Sequence, residues 1–77
     1  MKSSKHFIEV TGMYGDKKLL VGKNWITFIT PAHDEMMDDY TIIHITDGQR
    51  VTKLKCRESY KEIASELIFG YGKEEGN

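Results

Sequence analysis

Tyr40-Thr41-Ile42-Ile43-His44-Ile45-Thr46 and Val51-Thr52-Lys53-Leu54-Lys55-Cys56 are two β-rich runs with Asp47-Gly48 between them. Asp-Gly tolerates the positive φ that tight hairpin turns require, so the pair marks a β-hairpin. Ser59 and Glu62 then stand at capping-box spacing, and Tyr60, Ile63, Ala64, Leu67, Ile68 and Tyr71 follow at helical spacing. The hairpin therefore feeds a helix that begins near Tyr60 and ends near Phe69, with Gly70 suited to the left-handed position after its last turn.

Two registers fit this hairpin. A two-residue turn sets Ile43 opposite Thr52 and Ile45 opposite Arg50, whereas a three-residue turn with a bulge sets Ile42 opposite Leu54 and Tyr40 opposite Cys56. The second matches apolar to apolar better and is the expected one. In either register one of Ile42 and Ile43 faces away from the helix. Together with Trp25 or Phe28 it predicts that the second sheet face is also covered, by curling of the sheet or by another subunit.

Working back from the hairpin, His6-Phe7-Ile8-Glu9-Val10-Thr11 reads as a first strand, Gly12 to Asp16 as a turn, and Lys18-Leu19-Leu20-Val21 as a returning strand. Trp25-Ile26-Thr27-Phe28-Ile29-Thr30 is a third strand that should stop before Pro31, because proline donates nothing to a sheet ladder. Residues 31–39 then read as a long acidic loop with Met36 and Met37 tucked inward. These elements predict an α+β fold, a small antiparallel meander of four or five strands with one C-terminal helix packed on the sheet. Its expected extent is residues 6–71, between a flexible start over residues 1–5 and a disordered tail over residues 72–77.

A chain of 77 residues has a core near the lower limit for unaided folding. Its single cysteine, Cys56, cannot form an internal disulfide, and no Cys/His set has zinc-site spacing. Self-association is the remaining route to extra burial. Eleven basic against twelve acidic residues give a net charge of −1, which argues against a general electrostatic grip on nucleic acid or anionic lipid. The N-terminus has no apolar run long enough for a signal peptide or a membrane span, and one lone cysteine suits a reducing compartment, so a cytoplasmic location away from membranes is expected.

Signals for catalysis are sparse. Asp34, Glu35, Asp38, Asp39 and His33 are hard-ligand types close in sequence, yet they lack the glycine turn and alternating ligands of a calcium loop, so no metal is assigned. Cys56 would need a lowered pKa and a positioned base, and in the favoured register Tyr40, not His44, faces it. It reads as a buried structural thiol. His44 among isoleucines reads as a half-buried side chain. No phosphate cradle or Ser/His/Asp motif is present, so neither an enzyme nor a cofactor is expected.

Two surfaces remain. Arg50, Lys53, Lys55 and Arg57 form a local basic stripe, alternating in part with Thr52, Leu54 and Cys56. It reads either as a nucleic-acid contact or as a charged edge that discourages strand pairing. Trp25, Phe28, Ile68 and Phe69 are apolar groups off the helix's inner stripe or on the second sheet face, and they form the candidate protein interface.

The pattern Ile43-His44-Ile45-Thr46-Asp47-Gly48, followed by Arg57-Glu58-Ser59-Tyr60-Lys61-Glu62-Ile63, resembles small bacterial proteins of the flagellar FlbD (SwrD) type. In those, an extended opening and an Asn/Asp-Gly hairpin lead through a Glu-Ser pair into a closing helix. The resemblance runs over residues 7 to 69 and implies no catalytic residues. A second resemblance, of Phe7-Ile8-Glu9-Val10, Ile26, Asp39-Tyr40-Thr41-Ile42 and Thr46-Asp47-Gly48, is to the first part of LytTR-type DNA-binding domains. The resulting expectation is a small non-enzymatic interaction module that forms a homo-oligomer or meets another protein. The alternative is a nucleic-acid-binding module that uses the basic stripe.

Overall fold

The computed structural model describes residues 3–15, 17–35 and 37–70. Strand β1 (Phe7–Thr11) pairs antiparallel with β2 (Lys18–Gly22), from Phe7 opposite Gly22 to Thr11 opposite Lys18. The alternation of the sequence decides the faces: Ile8 and Val10 are buried while Phe7 is exposed. The turn between them closes through Gly12 N–H donating to the Lys17 carbonyl at 2.7 Å, with Gly15 at φ 85°. Upstream, Ser3 bridges Ile8, and Ser4 N–H donates to the Phe7 carbonyl at 2.8 Å. The tail expected over residues 72–77, and Tyr71 of the expected helical stripe, lie outside the described residues.

A single tight helical turn, Lys23–Trp25, redirects the chain into a second sheet of order β3-β4-β5. Here the structure corrects the sequence reading. Strand β3 (Ile26–Asp34) does not stop at Thr30: it runs through Pro31, which pairs with Thr41, and on to Asp34 opposite Met37 at the start of β4 (Met37–Thr46). The expected acidic loop is therefore the end of a hairpin, although Met36 itself lies outside the described residues. Proline is tolerated because β3 is an edge strand, where a missing N–H need not leave a gap in the ladder.

The hairpin between β4 and β5 (Val51–Cys56) is present, but in neither expected register. Ile43 lies opposite Leu54 and Thr41 opposite Cys56, leaving Asp47 to Arg50 as a four-residue loop. The Asp47 side chain causes the difference. Its Oδ1 accepts from the N–H groups of Gln49 and Arg50, both at 2.9 Å, so the side chain closes a turn wider than the Asp-Gly pair alone would make. Those N–H groups, Arg50's foremost, hold the Asp47 carboxyl below the usual carboxylate range. Gly48 adopts φ 97°, which a β-branched residue resists. Gly48→Val should lower stability by about 1 kcal/mol or more, read as a lower urea midpoint at unchanged slope. An unaltered midpoint would contradict this account of the loop.

Helix α1 (Tyr60–Ser65) starts where the capping signal places it: Ser59 Oγ accepts from the Glu62 N–H at 3.2 Å. The last turn widens over Glu66–Gly70. Ile63 is fully buried, while Tyr60, expected on the inner stripe, is exposed. Tyr60 occupies the first helical position, at the rim of the packed face.

The two sheets meet at one corner. Gly12 bridges Cys56, Met13 N–H donates to the Lys55 carbonyl at 3.1 Å, and Arg57 N–H donates to the Thr11 carbonyl at 2.9 Å. This joint folds the β1-β2 hairpin over one face of the larger sheet. Ile8, Val10 and Val21 thereby pack with Ile43, Cys56 and Ile63 in one core, edged by Leu19, Ile26, Ile29, Ile45, Leu54 and Leu67. The α+β class stands, with two antiparallel sheets in place of a continuous meander. Among the described residues, no helix is long and apolar enough to cross a membrane.

Candidate interaction surfaces

Register divides the side chains of the larger sheet between two faces. Because Ile43 is buried against the core, its cross-strand neighbours Ile29 and Leu54 share the inward face, as do Thr41 and Cys56. The outward face then carries two cross-strand rows, Phe28–His44–Lys53 and Thr30–Ile42–Lys55. A bulge between Ile26 and Phe28 sets the first row, and the Thr27 hydroxyl beside it donates to the His44 carbonyl at 3.0 Å. Phe28 stacks on the His44 ring at 4.0 Å between centroids, with 15° between planes. His44 is thereby only 8% exposed, and its Nε2 lies 3.3 Å from the Thr30 hydroxyl. It is buried, more deeply than the half-buried side chain expected from its setting among isoleucines, because Phe28 covers its ring.

The other surface is a groove of about 390 Å³ between β3 and the helix, lined by Lys23, Ile26, Thr27, Phe28, Ile29, Tyr60, Ala64, Leu67 and Ile68. Tyr60 also lines a second hollow of about 460 Å³, with Pro31, Ala32, His33, Asp39, Tyr40, Ser59 and Lys61. It therefore borders both hollows. At the second hollow His33 Nδ1 lies 2.9 Å from Asp39 Oδ1, an exposed pair. Among the described residues, no three His, Cys, Asp or Glu side chains gather as a metal-ion set.

Of the four expected interface residues, the structure brings Phe28 and Ile68 to the same groove. Ile68 is 69% exposed and its neighbour Phe69 60% exposed. Trp25 lies elsewhere, with its indole over Gly22, where a Cβ would come within 2.7 Å of Trp25 Cδ1. Of the four basic residues, only Lys53 and Lys55 share the outward face at ladder positions. Arg50 belongs to the turn, and Arg57 lies past the end of β5 with its Nε donating to the Met13 carbonyl at 3.3 Å. The expected four-residue stripe is thus a central pair with an arginine beyond each end.

Cys56 is fully buried and its Sγ lies 3.5 Å from the Thr41 carbonyl. Burial pushes its thiol up to about 12, and the nearby Glu58 carboxylate adds to the effect. A nucleophilic cysteine needs the opposite shift. His44 stands on the other face of the sheet, so the two do not form a pair.

Sequence reasoning missed Tyr60 as a residue common to both hollows, and it missed the work of Glu58. Both carboxylate oxygens of Glu58 accept from the Thr11 N–H, at 2.9 and 3.0 Å, while its backbone carbonyl accepts from the buried Thr41 hydroxyl at 2.7 Å. Glu58 thereby ties β1, β4 and the helix start together. Nothing local in the sequence announces a bond between residues so far apart. Comparison with family models, with curated proteins and with solved structures returns no match.

Proposed function

We propose that this chain is a small, non-enzymatic interaction module of the cytoplasm that self-associates through the open side of β3 and the apolar groove beside it. One observation carries the reading: Ile26, Ile29, Ala64, Leu67 and Ile68 line a single groove along an edge strand, with the exposed Phe69 next to it. An edge strand offers unpaired backbone groups to another strand, and natural proteins usually blunt such edges with charge. The segment Ile26–Ile29 carries none. A second copy of the chain brings both the strand and the apolar groups needed to cover it, in a closed two-fold arrangement. The size of the chain points the same way, since a small domain gains proportionately more from burial between subunits. The non-enzymatic part of the reading is supported by Cys56, a buried thiol raised away from reactivity and set apart from His44.

Light scattering at micromolar concentration is expected to give about twice the 8.9 kDa chain mass, with a melting temperature that rises with protein concentration. Replacing Ile68 and Phe69 together by serine should shift the mass to the monomer while leaving the far-ultraviolet circular dichroism unchanged, because both side chains are largely outside the core. A monomeric wild type at every concentration, with a constant melting temperature, would overturn the proposal.

A further inference from the structure

The outward face of the β3-β4-β5 sheet differs in chemistry from the rest of the molecule. The chain as a whole has one more acidic than basic residue, yet between Phe28 and Ala32, Tyr40 and Thr46, and Val51 and Lys55, the outward ladder positions hold no carboxylate. They hold Lys53 and Lys55, both exposed and without an ion-pair partner among the described residues. Two residues apart on one strand, these ammonium groups branch from backbone positions roughly 7 Å apart. That is of the order of the step between successive phosphates in an extended single strand.

In the same row as Lys53, two strands away, stands Phe28. One face of its ring lies on His44 of the neighbouring strand, so the other looks toward the open side of β3, where the side chain lines the groove and is 54% exposed. Lysines that only blunted the edge of β5 would have no need of an aromatic platform across the sheet. A partly exposed ring on β3 and unneutralised cations on β5 of one sheet match a ligand with planar bases and a charged backbone. A duplex is a poor fit, because its bases are already stacked on one another and two lysines neutralise little of its charge.

We propose that this face is a binding site for single-stranded nucleic acid, with a base stacked on Phe28 and phosphates on Lys53 and Lys55. The site goes beyond the self-association reading. Neither lysine lines the groove beside the helix, whereas Phe28 does, so the lysine variants are the ones that separate the two readings.

Fluorescence anisotropy with labelled ten-nucleotide oligouridine and oligothymidine tests it, with a ten-pair duplex and a ten-residue polyglutamate as comparison ligands. The single strands should bind, and two phosphate contacts should make affinity fall about seven-fold between 50 and 200 mM salt. Lys53→Glu with Lys55→Glu should abolish binding, and Lys53→Gln with Lys55→Gln should remove most of the salt dependence. Phe28→Ala should weaken binding about five-fold or more. The wild-type oligomer mass, measured by light scattering, should persist in both lysine double variants. The proposal is overturned if the wild type binds neither oligonucleotide at 50 mM salt, or if the charge-reversed variant binds as the wild type does. Equal or tighter binding of the duplex or of polyglutamate would also overturn it.

Discussion

Truncating Ile43 to alanine should destabilise the protein by about 2–5 kcal/mol, the range for removing a fully buried isoleucine. Ile43 is 0% exposed, it lies between Ile29 and Leu54 on the central strand, and it belongs to the cluster that β1, β2 and the helix also enter. No flexible side chain dominates that cluster to refill the space. A loss of this size is comparable to the whole stability of many small domains, so the variant should be largely unfolded without denaturant. Urea titration followed by tryptophan fluorescence, using the single Trp25, measures it. A midpoint within the range of ordinary surface substitutions would mean that the core is not centred on β4.

The second large effect is expected at Glu58. Glu58→Ala removes both acceptors of the Thr11 N–H at the point where the two sheets join, and should cost about 1–3 kcal/mol. Glu58→Gln keeps one carbonyl oxygen at the same reach and should recover much of the loss. The hydrogen bond from the Thr41 hydroxyl to the Glu58 backbone carbonyl is common to all three proteins, so the comparison isolates the Glu58 side chain. Equal midpoints for Glu58→Ala and the parent would show that water replaces the carboxylate without cost.

The parts of the fold that were legible are those governed by neighbours in sequence. Asp47-Gly48 marks a hairpin because the backbone there needs a positive φ, and Ser59 marks the helix start because its side chain reaches an N–H three residues on. Alternation in β1 gives the buried pair Ile8 and Val10 directly. The hairpin register was not legible in the same way. It depends on whether the Asp47 side chain bonds forward to Gln49 and Arg50, and the resulting loop changes every cross-strand pair. Pro31 misleads for a related reason: it ends a central strand but not an edge strand, and edge position is a property of the whole sheet.

The candidate surfaces divide similarly. Lys53 and Lys55 could be placed on one face from their spacing alone. Phe28 could not be joined to them, because its place in the row depends on a bulge between Ile26 and Phe28. The groove joins Ile26–Ile29 to residues of the helix far along the chain, and only the tertiary fold brings them together. Glu58 reads as an ordinary residue before a cap until the path of β1 is known.

Amide hydrogen exchange on the wild-type protein, measured at low and at high micromolar concentration, bears most directly on β3 and its groove as the self-association surface. The β3 amides not bonded to β4, together with those of Leu67, Ile68 and Phe69, should exchange more slowly as concentration rises, while β1 and β2 stay unchanged. Exchange rates along β3 and the last helical turn that are the same at both concentrations would contradict the account.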